Sequence, residues 1–116
     1  MISKDEMPDC PVATTVKLIG SKWKLLIMRN LLARPWRFTE LKKSLAPISH
    51  KVLTESLRSM EQDGLITRKI YPKIPKSAGG PLAVEYSLTD LGLSLKPVLL
   101  EMENWGKAYC DKLDKK

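Results

Sequence analysis

Cysteine and histidine are scarce in this chain. Cys10 and Cys110 are the only two cysteines, near opposite ends, and His50 is the single histidine. There is no CxxC pair, and a structural zinc site needs about four clustered nitrogen or sulfur ligands, so no metal is expected. Two thiols and a charged start, MISKDEMPDC, without a hydrophobic leader, predict a reducing cytoplasmic setting. Aromatic residues make up only 6%, and neither a paired-aromatic strand motif nor a GxxG loop is present, which argues against a platform for stacking single-stranded bases. No apolar run approaches the roughly 18 residues of a membrane span. A phosphate-binding glycine loop and a carboxylate pair are also missing, so no cofactor and no enzyme activity is expected; a thiol enzyme built on Cys10 is the best candidate of that class. Internal repeats and low-complexity tracts are absent.

What is present is a chain of 116 residues with 43% apolar content, read as one domain over residues 1–116. A chain of this size buries roughly 65% of its unfolded surface, enough for a core without staples. Lys plus Arg number 20 against 13 Asp plus Glu, a net charge of +7. The excess is unevenly placed. Lys17 to Lys51 carries nine basic residues against one acid, Glu40, and Arg68 to Lys76 carries four and no acid. From Glu85 to Lys116 five basic residues face six acids. A surface built only for solubility would mix the signs throughout, although a solvated basic face remains the bland alternative.

Punctuation at Gly20, Pro35, Pro47, Gly64 and the Ser77–Pro81 cluster divides the chain. Pro11 to Ile19 reads as a short helix with Pro11 at its first position and Cys10 at its cap. Lys22 to Leu32 follows, with Trp23, Leu26, Ile27, Asn30 and Leu31 on a 3.6 period that makes Trp23 core. Phe38 to Leu45 is a third, short helix, with Thr39 as N-cap and Leu41 and Leu45 on one face. In Ser49 to Gln62, Ser49 is the N-cap, Val52, Leu53, Leu57 and Met60 form an apolar back, and Lys51, Thr54, Glu55 and Arg58 lie opposite, with His50 at the border. Asp63-Gly64 ends it through a left-handed cap. Leu65 to Ile74 and the alternating Leu82 to Leu88 then make a hairpin with a long basic tip. From Thr89, Leu91, Leu95, Val98, Met102, Trp105 and Tyr109 repeat every 3.5 residues, a helix-packing seam that Pro97 interrupts and kinks. The seam suits a partner helix from a second subunit, or docking on its own domain.

Two short helices joined by a tight turn, then a basic hairpin, predict a winged helix-turn-helix: mainly α with a two-stranded β-wing (α+β), to which the family resemblance given below adds N- and C-terminal dimerisation helices. In that arrangement Ser49 to Gln62 enters the major groove, about 12 Å wide, and Phe38 to Leu45 crosses the backbone. Ser49, His50, Lys51, Thr54 and Arg58 are the residues placed to read bases, and Lys51 and Arg58 equally suit phosphates. Arg37, Thr39, Lys42 and Lys43 fall near backbone phosphates, and Lys73 and Lys76 on the wing reach the flanking groove. His50 also fits a plain hydrogen-bonding side chain.

The residues resemble the HxlR-type regulators, a branch of bacterial winged-helix transcription factors (MarR/HxlR-like). The matching strings are C-P-V at Cys10 to Val12, I-G-S-K-W-K at Ile19 to Lys24, R-F-T-E-L at Arg37 to Leu41, I-S-H-K-V-L-T at Ile48 to Thr54, D-G-L-I at Asp63 to Ile66, V-E-Y-S-L-T-D-L-G at Val84 to Gly92, P-V-L at Pro97 to Leu99 and W-G at Trp105-Gly106. They run in order over nearly the whole chain and are specific together, though weak singly. The resemblance implies a cytoplasmic homodimer on double-stranded DNA with an inverted-repeat operator, repressing or activating nearby genes. It assigns DNA binding to a core of about 20–88 and dimerisation to about 8–19 and 89–113. One departure is the inserted wing stretch Lys76 to Ala83, which leaves the wing contacts open.

Several relatives of that type sense oxidants or electrophiles through a cysteine at the position of Cys10. A thiol at a helix N-terminus beside basic residues gains thiolate character, here favoured by Lys17 and Lys22 and opposed by Asp9. Pairing of the first and last helices across a dimer would bring Cys110 of one subunit toward Cys10 of the other. The alternatives are a regulator with a small-molecule effector, or one whose cysteines are small apolar residues without a redox role; an architectural nucleic-acid-binding protein is more distant.

Overall fold

The computed structural model describes residues 4–7, 9–72 and 82–114. After a 3-10 turn at Lys4–Glu6, the order is α1 (Pro11–Ile19), α2 (Lys22–Ala33), β1 (Trp36–Arg37), α3 (Phe38–Ser44), α4 (His50–Gln62), β2 (Ile66–Pro72), β3 (Leu82–Leu88), α5 (Asp90–Leu93) and α6 (Lys96–Asp114).

The helix boundaries follow local chemistry. Cys10 is extended at the head of α1, and Pro11 occupies a first-turn position where its missing N–H costs nothing. The Ser21 side chain accepts from the Lys24 backbone N–H to open α2, and the Ser49 Oγ accepts from the Val52 N–H at 3.1 Å to open α4, as its sequence position predicts. Gly64 closes the turn after α4 at φ 80°, the left-handed conformation open to glycine without strain. Thr39 does not cap α3. The chain stays extended through β1, so Arg37 is the N-cap, and the Glu40 carboxylate reaches back to accept from the Arg37 N–H at 2.9 Å. Thr39 lies in the first turn instead.

The hairpin is part of a slightly larger sheet. Trp36 and Arg37 pair with Tyr86 and Glu85, giving three antiparallel strands in the order β1-β3-β2. A strand of two residues is too short to show a period, which is why only two strands are legible in sequence. The residues after Pro72, including Lys73, Ile74, Lys76 and the Ser77–Pro81 cluster, lie outside the described residues.

Pro97 does not kink a continuous helix. The chain breaks at Ser94–Leu95, and Pro97 falls in the first turn of α6, where a proline needs no N–H partner. Thr89 opens α5: its hydroxyl donates to the Gly64 carbonyl at 2.6 Å and accepts from the Gly92 N–H at 3.1 Å. A Cβ on Gly92 would stand 2.1 Å from the Leu65 carbonyl oxygen, so α5 can sit against the residue that leads into β2 only with glycine there.

One core joins these pieces. Ile27, Met28 and Leu31 of α2 meet Leu41 and Leu45 around α3, Leu53, Leu57 and Met60 of α4, and Leu65, Ile66 and Tyr86 of the sheet. Each such side chain, fully buried, contributes about 1.5–3 kcal/mol. Trp23 packs on the edge of this core, half-buried, with the Lys22 ammonium 4.8 Å from its ring.

Candidate nucleic-acid interface

The packing of α4 decides which of its side chains are available. Leu53, Ser56, Leu57 and Met60 are buried on its inner side. At 100° per residue, His50, Thr54, Arg58, Lys51 and Glu55 then occupy a continuous outer arc of about 140°. His50, Lys51, Glu55 and Arg58 are exposed and Thr54 is half-exposed. Ser49 stands at the head of the arc, exposed, with its oxygen engaged as the cap. The Thr54 Oγ1 lies 3.4 Å from His50 Nδ1, and the His50 ring is tilted against Phe38 with centroids 5.0 Å apart. That ring contact ties the start of α4 to the start of α3.

α3 brings the second group alongside. Arg37, Thr39 and Lys43 are exposed and Lys42 is half-buried. Leu41 is fully buried beneath them, and a turn with a cis Ala46–Pro47 peptide joins α3 to α4. The α3 position is set by polar contacts that a pattern of apolar residues does not reveal. Asn30, buried on α2, donates from Nδ2 to Ser44 Oγ at 3.1 Å, and the Trp36 indole N–H donates to the Asn30 carbonyl at 2.8 Å. The Arg34 guanidinium stacks 3.7 Å from the Trp36 ring and bridges to Glu40 at 3.4 Å. Hydrogen bonding from the Arg37 backbone holds the Glu40 carboxyl below its ordinary value, against an opposing effect of burial, with the Arg34 and then the Arg37 charge adding to the lowering.

The Phe38–His50 contact therefore sets the start of α3, where Arg37 and Thr39 flank Phe38, against the start of α4, while Lys42 and Lys43 lie further along α3. Lys73 and Lys76 lie outside the described residues. Lys69 of β2 is exposed and directly across from Glu85, on the sheet face opposite Arg68, and is a cation that sequence reading passed over. Its signal was its place in the second basic segment. Arg68, its neighbour, bridges to Glu61 of α4 at 3.7 Å.

Cys10 and Cys110 are both exposed free thiols, one before α1 and one late in α6. Around them the outer sides of both helices are apolar and bare: Val12 and Val16 on α1, and Val98, Met102, Trp105 and Tyr109 on α6 are exposed. Trp105 and Tyr109 stack on each other with ring centroids 5.3 Å apart. Leu95 of the 3.5-residue seam instead packs onto the chain's own core, beside Leu99, which lies off the seam, so the seam is divided between two destinations. Among the described residues, no group of three or more His, Cys, Asp or Glu side chains could hold a metal ion, and no helix is long and apolar enough to cross a membrane.

Comparison with known proteins agrees with this arrangement. A family profile described as HxlR-like helix-turn-helix matches residues 18–114. The HTH-type transcriptional regulator YdeP of Bacillus subtilis is 42% identical over 113 residues, covering 97% of this chain and 84% of that protein. Among solved structures, the redox regulator HypR in its reduced form superposes with a TM-score of 0.80 at 34% identity, covering 92% of this chain and 100% of that one. The reduced form of the transcriptional regulator YodB from B. subtilis gives 0.73 at 32% identity, covering 90% and 98%. These relatives are regulators rather than enzymes, and the fold is the mainly helical winged helix-turn-helix that the element order predicts. The chain belongs to the HxlR-like helix-turn-helix family of transcriptional regulators.

Proposed function

We propose that this regulator is a homodimer that binds double-stranded DNA at an inverted-repeat operator, with α4 in the major groove and the α3 region on the flanking phosphates. The two-sided α4 carries this reading: a fully buried back fixes the helix while Ser49, His50, Lys51, Thr54 and Arg58 face outward. Residues of about 20–88 form the DNA-binding core in this reading. The bare apolar sides of α1 and α6, within about 8–19 and 89–113, are covered by the second subunit, which would remove large exposed side chains such as Trp105 and Tyr109 from water. The −1 balance from Glu85 onward suits that role, since subunits meeting there do not bring two basic faces together. Titration of the chain against the promoter of its own gene and against random duplex, at matched salt, tests the reading. A preference of about a thousandfold or more is expected; equal affinities refute it.

The redox form of the proposal rests on two exposed thiols, Cys10 and Cys110, on the two helices that meet across the proposed interface. An oxidant that accepts two electrons and two protons would join Cys10 to Cys110 of the other subunit and alter the spacing of the reading helices. A second reading, control by a small molecule, is favoured by a groove of about 350 Å³ between α2 and α6, walled by Leu25, Leu26, Leu32 and Leu99 with Arg29 and Glu103 at its edge.

A further inference from the structure

Three side chains meet at the head of α4. His50 is the first residue of the helix, and Thr54 stands one turn along on the same face. The Thr54 Oγ1 lies 3.4 Å from His50 Nδ1, and this is the one hydrogen bond of the Thr54 side chain among the described residues. The His50 ring also leans on Phe38, tilted by 55° with centroids 5.0 Å apart. Phe38 is half-buried and packs on the core, so it is a fixed wall for the imidazole. The contacts decide which ring nitrogen carries the proton. Nδ1 is the nitrogen nearer the backbone, where the unbonded N–H groups of the first turn create a positive field that favours a lone pair. The Thr54 hydroxyl therefore donates to Nδ1, and the ring proton sits on Nε2. Nε2 makes no hydrogen bond among the described residues, and His50 is exposed.

We infer that His50 reads a hydrogen-bond acceptor on a base edge through its Nε2–H, and that Thr54 and Phe38 are positioning residues that act through His50 and read no base themselves. The inference rests on the DNA-binding reading above, in which the first residues of α4 meet base edges. In the major groove guanine offers two acceptors, O6 and N7, and thymine offers O4. Adenine offers N7 beside a donor, and cytosine offers only its N4 amino donor. A donor fixed at Nε2 therefore rejects cytosine and favours guanine. A ring free to change tautomer could accept from the cytosine amino group as well as donate, and would lose that choice. Thr54 thus contributes selectivity by holding the tautomer, and Phe38 by holding the plane of the ring.

The test is binding, at matched salt, to operator duplexes that carry each of the four bases in turn at every position of one half-site. The native chain is compared with His50→Ala, Thr54→Val, Thr54→Ser and the double variant His50→Ala/Thr54→Val. At one position the native chain is expected to bind guanine about tenfold more tightly than cytosine, the worth of one hydrogen bond gained against one donor left facing another. His50→Ala should erase that preference. Thr54→Val keeps the branched shape and removes the hydroxyl, so it should reduce the preference at the same position and leave the others as they are. Thr54→Ser restores the hydroxyl and should restore the preference. In the His50→Ala background, Thr54→Val should change nothing further. Phe38→Leu gives an independent reading through the other contact, and should weaken the preference at that same position. The inference is overturned by a His50→Ala chain with the native base preferences, or by a Thr54→Val effect at a position that His50→Ala leaves alone. It is overturned equally if the two effects add in the double variant. Native protein with no preference for the operator over random duplex instead refutes the DNA-binding reading itself.

Discussion

Leu57 and Arg58 are neighbours in sequence about 100° apart around α4, one buried and one exposed, and substituting each with alanine separates the two roles of the helix. Leu57 is 1% exposed in a core formed by α2, α3, α4 and the sheet. Leu57→Ala removes three carbons from that site and leaves a partly collapsed cavity, at a cost of about 2–5 kcal/mol. For a domain of this size each kcal/mol lowers the melting temperature by roughly 3–6 °C, so a fall of roughly 6–30 °C is expected. Arg58 is exposed, so Arg58→Ala should change stability by no more than about 0.5 kcal/mol. Its effect should appear on DNA instead. If the guanidinium reads a base edge, its removal costs about 1–3 kcal/mol and relaxes preference at one base position; if it grips a phosphate, its removal weakens all duplexes alike. Thermal melts followed by circular dichroism at one fixed protein concentration, paired with operator titrations of the folded proteins, read both effects. Arg58→Ala that melts as early as Leu57→Ala, or binds every duplex as the native chain does, would refute the assignment of the two faces.

Other consequences follow from single side chains. Ser49→Ala deletes the cap on the Val52 N–H and should cost about 1 kcal/mol in denaturant titrations, whatever its effect on DNA. Glu40 has a lowered folded-state pKa, so its contribution to stability is complete above the ordinary carboxylate value and is lost as pH falls through the lowered one. Denaturation of native and Glu40→Gln chains across pH should therefore differ at neutral pH and converge in acid. Trp105→Glu places a charge in the exposed apolar side of α6 and should shift light-scattering mass toward the monomer and weaken operator binding with it. After mild oxidant, non-reducing electrophoresis should show a crosslinked dimer that Cys10→Ser abolishes; its absence from the native chain contradicts the intersubunit disulfide.

Long periodic elements were legible in the sequence, and short or polar-determined ones were not. α1 and α4 lie within a residue of their expected bounds because Pro11, Ser49 and Gly64 mark their ends and apolar spacing marks their faces. β1 is hidden in the sequence because two residues carry no alternation; its position depends on pairing with Glu85 and Tyr86, some fifty residues away. Its extended backbone also places the α3 cap at Arg37 rather than Thr39. Pro97 resembles a kink because the seam is continuous across it, but the helix has already ended at Ser94 and Pro97 falls in the first turn of a new one. The candidate reading face was legible for a simpler reason: on a helix with one buried side, the exposed side follows by geometry.

The central claim is that α4, in a symmetric pair, reads base sequence. Selection of the native protein against a pool of duplexes with randomised sequence, at fixed salt, tests it most directly. An inverted repeat should be enriched, with half-site centres about 10 bp apart or a multiple of that spacing. Recovery of an unenriched pool, or of a lone half-site with no preferred spacing, would contradict it.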